Sequence, residues 1–255
     1  MTDTISTNQR SAVLSTGRII KAGGKRLASL LRRMIPQKGQ MSYSQCGEDL
    51  IVQFAVAEMG LRQKVSYLDI GGYHPFRLNN TYGFYRRGSK GVLIEPNPVL
   101  AKNISRHRRR DVCLNVGISA DGRKSGQLHI FDEPTLSTFS GQEAERISAY
   151  GNKHVLQILD IPLMTVNEVM AQYFKGAPDF ISLDVEGLDF QILQSVDWVR
   201  YRPVVLCVET ITYTENNTER KIQDILDYMK QQGYFIYADT YINSIFVDKH
   251  RWKAR

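Results

Sequence analysis

Cysteine is scarce in this sequence. Cys46, Cys113 and Cys207 are the only three in 255 residues, they lie far apart, and no CxxC pair occurs. An odd, scattered set builds neither a disulfide framework nor a structural zinc site. It points to a reducing, cytoplasmic compartment, with the thiols as small buried apolar groups. Long apolar runs are missing too: none approaches the ~18 residues that a transmembrane helix needs. The N-terminus lacks a continuous apolar h-region, so a secretory signal peptide is not expected. Internal repeats and low-complexity tracts are absent. What remains, 42% hydrophobic and 23% charged residues, is the composition of a folded globular chain. It is long enough to bury a core without metal or disulfide staples. The length suits one domain of roughly 200 residues plus an extension, or two small domains.

Excess charge is also absent from most of the chain. The formal net charge is +7, yet residues 1–40 hold eight basic side chains against one acid, Asp3, and the rest of the chain carries 25 of each sign. The basicity is therefore an N-terminal attachment to a neutral body, and a neutral body argues against a nucleic-acid-binding core. Within the extension, Ile20, Leu27, Leu30, Leu31, Met34 and Ile35 fall near helical spacing with Arg and Lys between them, up to Pro36. Two readings of residues 11–35 stand side by side. A basic amphipathic helix lies in an anionic membrane surface, here the inner face. The same helix also packs on its own domain or on a second subunit, making a homo-oligomer. The expected division is a basic extension over 1–40 and a catalytic domain over 41–255.

From residue 43 short apolar strands alternate with amphipathic helices. Strands are predicted at 65–70, 91–95, 111–118, 179–183 and 204–208, with a final pair near 234–238 and 242–247. Helices are predicted at 44–59, 79–87, 98–106, 165–174, 188–193 and 222–232. Residues 119–160 are less regular, with extra strands near 127–131 and 155–161. Alternation of this kind gives an α/β fold with a largely parallel sheet, whose ligands bind beyond the carboxyl ends of the strands. The residues that matter most are therefore Asp69 and Gly71, Glu95, Asp184 and Glu209.

After the first strand the chain reads Leu68-Asp69-Ile70-Gly71-Gly72-Tyr73, and Glu95 ends the second strand. Glycines there let backbone N–H groups approach a ligand, and an acid at the second position accepts both hydroxyls of a ribose. The dinucleotide pattern GxGxxG is missing, and Asp69 would repel a phosphate. The pair suits a cationic ligand with an amine, such as the methionine end of S-adenosylmethionine.

Five stretches then carry a resemblance: Ser44-Gln45-Cys46-Gly47-Glu48-Asp49, Leu68 through Pro75, Asn80-Thr81, Ile94-Glu95-Pro96-Asn97-Pro98, and Phe180 through Gly187. In this order, and over about residues 43–248, the chain resembles the FkbM family of S-adenosylmethionine-dependent methyltransferases. The resemblance implies a class I, Rossmann-like three-layer sandwich with a mostly parallel seven-stranded sheet, whose last hairpin supplies one antiparallel strand. It implies O-methylation of a hydroxyl, often on a sugar of a glycan or glycolipid, and sometimes on a macrolide. Carried over, Asp69, Gly71 and Gly72 would hold the methionine part of S-adenosyl-L-methionine and Glu95 its ribose. Pro96, Asn97, Val116 and Gly117 would lie near the adenine. The family's usual last glycine of the first motif is replaced near Pro75.

An unactivated sugar hydroxyl needs a general base or a metal to stabilise the developing alkoxide. Asp184 and Glu186 follow the fourth strand and Glu209 ends the fifth. In one reading Asp184 is the base, its pKa raised by neighbouring carboxylates. In another, Asp184, Glu209 and Glu186 hold a hard cation such as Mg2+. His74 is a further candidate base. The run Arg106-His107-Arg108-Arg109-Arg110 reads as a solvated helix end, with contact to a phosphate-bearing substrate as its functional alternative. Thr135, Ser137 and Thr138 are candidates for a lid or acceptor wall. Readings of other classes are a nicotinamide-dependent oxidoreductase, against which the missing GxGxxG speaks, and a membrane-tethered binding protein without catalysis.

Overall fold

The computed structural model describes residues 39–61, 64–149, 152–185, 187–212 and 219–254. Ser42–Arg255 form one unit; of the other unit, residues 1–41, only the last three are described. The basic helix expected over 11–35, and its membrane or partner contact, lie outside the described residues.

A seven-stranded sheet organises this unit. Its strands are β1 (Ser66–Ile70), β2 (Lys90–Ile94), β3 (Val112–Leu114), β7 (Phe180–Leu183), β8 (Val205–Glu209), β9 (Tyr234–Asp239) and β10 (Asn243–Asp248), in the spatial order β3-β2-β1-β7-β8-β10-β9. The pairs β1–β2, β2–β3, β1–β7 and β7–β8 are parallel, while β10 runs antiparallel to both its neighbours. This is the mostly parallel class I sheet expected from the sequence, with its single reversed strand. The strands are runs of Val, Ile, Leu and Phe because both faces are covered. Leu68, Val92, Ile94, Leu206 and Val208 belong to one buried cluster, and Tyr67, Leu93, Val205 and Cys207 to another. Adjacent strand residues thus feed opposite cores.

Helices α5 (Val166–Tyr173), α6 (Asp189–Ser195) and α7 (Gln223–Gln231) pack into the first cluster through Val169, Ile192 and Ile225. Helices α1 (Glu48–Glu58), α2 (Tyr82–Arg86) and α3 (Pro98–His107) pack into the second through Val52, Phe84 and Ile104. The result is three layers. Local chemistry sets the helix starts. Thr165 and Glu168 form a capping box on α5, while the Asn97 side chain accepts from the Val99 N–H ahead of Pro98 at the start of α3.

Three expectations are corrected. The strand expected over 111–118 is two strands, because Asn115 turns its amide to the carbonyls of Glu95 and Pro96 and breaks the extended run. After it, β4 (Gly117–Ile118) leaves the main sheet and pairs with β6 (Val155–Met164), which also carries β5 (Ser125–Phe131). Helix α4 (Gly141–Ala149) was not expected; only Ala144 and Ile147 bury on it, too few to give a visible period. Of the three thiols, Cys207 is buried, Cys113 half-buried and Cys46 exposed, so burial does not describe them all. Among the described residues no helix is long and apolar enough to cross a membrane.

Candidate active site

The parallel strands β2, β1, β7 and β8 are consecutive in the sheet, so their carboxyl ends open on one side. Ile70 and Gly71, Ile94 and Glu95, Asp184, and Glu209 sit at those ends and line one cavity of about 410 Å3. The segment after β5 supplies a further wall through Pro134, Thr135, Leu136, Ser137 and Phe139. Thr138 does not face the cavity; it is buried and bridges to His129. Pro96 and Gly117 line the cavity as well.

Glu95 is buried, and its two oxygens each accept one backbone N–H, from Tyr73 and from Asn97, both at 2.8 Å. Burial pushes its pKa up to about 7, and Asp69 adds to the rise against those two N–H donors. Each carboxylate oxygen keeps a further lone pair for a ligand. Asp184 is exposed and lines the cavity. Desolvation, then the charges of Asp69 and Glu48, raise its pKa above the ordinary carboxylate range. Asp189, one turn on at the start of α6, is raised by burial and then by Asp184, while its Oδ1 accepts the Val185 N–H.

The backbone N–H groups of the first-motif glycines bond within the protein, while Gly71 itself lines the cavity. The N–H groups of Gly71 and Gly72 both donate to the Ile94 carbonyl at 3.0 Å. Gly71 has φ +90°, and a Cβ there would overlap the Asp184 carbonyl oxygen. Only glycine lets the ends of β1 and β7 approach this closely. Gly71→Ala is expected to cost at least ~3 kcal/mol, from a strained φ plus a backbone clash that the β1–β7 register cannot relieve, read as a lowered urea midpoint.

Asp69 is also corrected. It lies one residue before the strand end, so the strand's alternation turns it to the opposite face from Ile70, and it does not line the cavity. Its carboxylate accepts from Thr81 Oγ1 at 2.6 Å and Asn79 Nδ2 at 3.1 Å. Below it the fully buried Arg108 donates to Asn79 Oδ1 and Thr81 Oγ1, both at 3.0 Å, and pairs with Asp111 at 2.8 Å. Arg108 is thus no solvated helix end but the centre of a buried polar network.

His74 is not brought to the cavity; its Nδ1 accepts the N–H groups of Phe76 and Arg77, and desolvation lowers its pKa. Asn97 caps α3, and Val116 packs against the first core cluster, so neither lines the cavity. Glu186 lies outside the described residues. The described residues contain no group of three or more His, Cys, Asp and Glu placed to hold a metal ion, so Asp184 and Glu209 are not joined by a third ligand among them.

Several cavity residues escaped the sequence reading. Gln45, Asn80 and Asn243 line it, and Asn80 Nδ2 donates to Ser182 Oγ at 3.1 Å. Glu48, buried at the start of α1, accepts from Thr240 Oγ1 at 2.7 Å and Asn243 Nδ2 at 3.1 Å, which fixes Asn243 from behind. Gln45 and Asn80 stand inside motifs that the resemblance had marked without a role. Asn243 follows no motif and is found only through its pairing opposite Glu209.

A model described as the methyltransferase FkbM domain matches residues 69–236. No curated protein matches the chain. Among solved structures, the chain is similar to a TehB-like SAM-dependent methyltransferase from Corynebacterium glutamicum, at 10% identity and TM-score 0.41, covering 90% of this chain and 100% of that one. It is also similar to an O-methyltransferase from Bacillus cereus in complex with SAH, at 12% identity and TM-score 0.37, covering 88% and 89%. A third is the 1,6-didemethyltoxoflavin-N1-methyltransferase of Burkholderia thailandensis, at 8% identity and TM-score 0.38, covering 97% and 91%.

Proposed function

The chain belongs to the FkbM methyltransferase family, and from that premise we propose that this S-adenosylmethionine-dependent methyltransferase acts on a hydroxyl of a sugar in a glycan or glycolipid. The observation that carries the reading is the sign and lining of the cavity. Glu95, Asp184, Glu209 and Glu219 line it, and no described lining residue is Lys, Arg or His. Such a cavity suits a sulfonium with an amine and opposes a diphosphate. The N–H groups of Gly71 and Gly72 are spent on Ile94, which also removes the pyrophosphate cradle of a nicotinamide reading. Gln45, Asn80, Thr135, Ser137 and Asn243 add amides and hydroxyls, the groups that orient a polyhydroxylated acceptor.

Bound S-adenosylmethionine supplies an already activated methyl group, so the chain's own work is positioning and proton transfer. Glu95 would hold the ribose hydroxyls, and Pro96 and Gly117, which line the cavity, would lie near the adenine. Asp184 would accept the proton of the acceptor hydroxyl; a carboxyl raised by desolvation and by the neighbouring Asp69 and Glu48 holds that proton better than an ordinary one. Incubation with labelled S-adenosylmethionine and a panel of saccharides, glycolipids and macrolides tests the reading. Label on a saccharide hydroxyl is the expected outcome, and label on a macrolide alone would move the acceptor class.

Glu95→Gln gives a second check. Burial makes the ionised carboxylate costly, so Glu95 favours the ligand-free fold most at low pH and loses that contribution as pH rises through about 7. Ribose hydroxyls donate to the ionised form. Affinity for S-adenosylhomocysteine should therefore rise by up to ~10-fold per pH unit below 7 and level off above it. In Glu95→Gln that rise is absent, and calorimetry at pH 8 should read an affinity ~10–100-fold lower, the loss of one charge-assisted hydrogen bond.

A further inference from the structure

The neutral body conceals a strong segregation of charge. Residues 74–110 hold nine Lys and Arg and one acid, Glu95, whose carboxylate belongs to the cavity. Arg108 is buried, whereas Arg77, Arg86, Arg87, Arg106, Arg109 and Arg110 are exposed. Ring contacts join Arg86, Arg110 and, through His107, Arg106 in one ridge that starts at the cavity; Arg77 follows Phe76 in the chain, and Arg109 Nε donates to the Arg106 carbonyl at 3.4 Å. Tyr73 in the cavity wall lies 6.2 Å from the His74 ring, His74 5.4 Å from Phe76, and Phe76 5.1 Å from His107 beside Arg106. Phe76 also meets Tyr82 at 5.2 Å, Tyr82 meets Tyr85 at 6.0 Å, and the Arg110 guanidinium stands 3.9 Å from the Tyr85 ring centre. Arg86 reaches the Tyr43 hydroxyl, whose ring lies 4.8 Å from Tyr82.

We propose that this arginine ridge is an accessory binding surface for the anionic part of a saccharide chain whose uncharged, hydroxyl-bearing end occupies the cavity. The inference rests on the saccharide reading above and adds a direction of entry. Exposed guanidinium groups pair in bidentate fashion with carboxylate, sulfate or phosphate. The acidic cavity repels those same groups, so a charged chain has one way to lie. The rings decide the partner class. A nucleobase stacks on a free ring face, but the ridge rings are taken up with one another: His74–Phe76, Phe76–His107 and Tyr43–Tyr82 cross at 75°, 84° and 85°, Tyr82 and Tyr85 stack at 19°, and Arg110 stands over the Tyr85 ring. A bilayer surface takes a broad exposed apolar face, whereas the exposed large apolar side chains of residues 74–110 are Leu78, which also lines the cavity, and Val99.

The test is binding of a heparin hexasaccharide to the full chain by calorimetry at two ionic strengths. Arg77→Ser/Arg86→Ser/Arg106→Ser/Arg109→Ser removes four exposed charges and touches neither the cavity lining nor the Arg108 network. A control, Arg123→Ser/Lys124→Ser/Lys175→Ser/Arg200→Ser, removes the same charge elsewhere. The ridge variant should lose at least ~10-fold in affinity and most of the salt dependence, while the control stays within about threefold. Unchanged affinity for S-adenosylhomocysteine in both verifies the fold. Equal losses in the two variants, or none in the ridge variant, would overturn the proposal. Tighter ridge-dependent binding of an RNA oligonucleotide or of phosphatidylglycerol vesicles would overturn its saccharide assignment. Because the readout is binding, failure here leaves methyl transfer to the acceptor panel as a separate question.

Discussion

Asp184→Asn is expected to lower kcat for methyl transfer by ~100- to 10,000-fold, the range a positioned general base contributes. Affinity for S-adenosylhomocysteine should change by less than about threefold, because the substitution keeps the side chain's shape. A sugar hydroxyl stays protonated at neutral pH, and the oxygen must shed its proton as it attacks. Asp184 opens onto the cavity between the ends of β1 and β8, within the charge fields of Asp69 and Glu48. Desolvation and those two acids raise its pKa, so the carboxylate is a stronger base than one in water. Activity of the parent should fall as pH drops through the raised value of Asp184, and this acidic limb should vanish from the residual activity of the variant. A variant within tenfold of the parent would take the base away from Asp184 and direct the same measurement to Glu209→Gln.

How far the sequence revealed this site depends on what each residue's partners are. Glu95 and Asp184 were visible because each stands one step past a buried apolar strand, where a parallel sheet delivers side chains to a ligand. Asp69 looked equivalent, but Ile70 pairs with Ile94, so Glu95 is level with Gly71 and Asp69 is level with Leu93. Strand alternation alone would have turned Asp69 away; its place next to the strand end and its charge had drawn it toward the ligand before the family motif did. The Gly71 role was hidden for another reason. Its need for positive φ and no Cβ comes from the Asp184 backbone, more than a hundred residues on. Residues 119–160 resisted because their helix buries two side chains and their strands form a separate three-stranded sheet, so neither period is sustained.

Arg108 was the least legible residue, and its removal should have the largest effect on stability. In sequence it is one of four arginines in a row of five, and nothing local distinguishes it. Its partners Tyr67, Asn79, Thr81 and Asp111 gather only in the fold. The guanidinium donates to Asp111 at 2.8 Å and to Tyr67 Oη, Asn79 Oδ1 and Thr81 Oγ1 at 3.0 Å each. Arg108→Met fills the space with an apolar chain but leaves Asp111 and Asp69 buried without a cation. Breaking a buried pair in this way costs ~3–5 kcal/mol, a large share of a typical domain's stability. The pH dependence identifies the cause. Desolvation already raises the Asp69 carboxyl, with Arg108 the largest influence opposing it. Without Arg108 the carboxyl rises further, and a raised folded-state pKa gives stability that is present at low pH and lost as pH climbs through it. Urea unfolding should therefore show a smaller deficit for Arg108→Met at pH 5 than at pH 8. Adding Asp111→Asn to Arg108→Met should recover part of the loss, since one of the two stranded charges is then gone. A deficit equal at both pH values and untouched by the second substitution would reduce Arg108 to a packing residue and leave the Asp69 carboxylate indifferent to it.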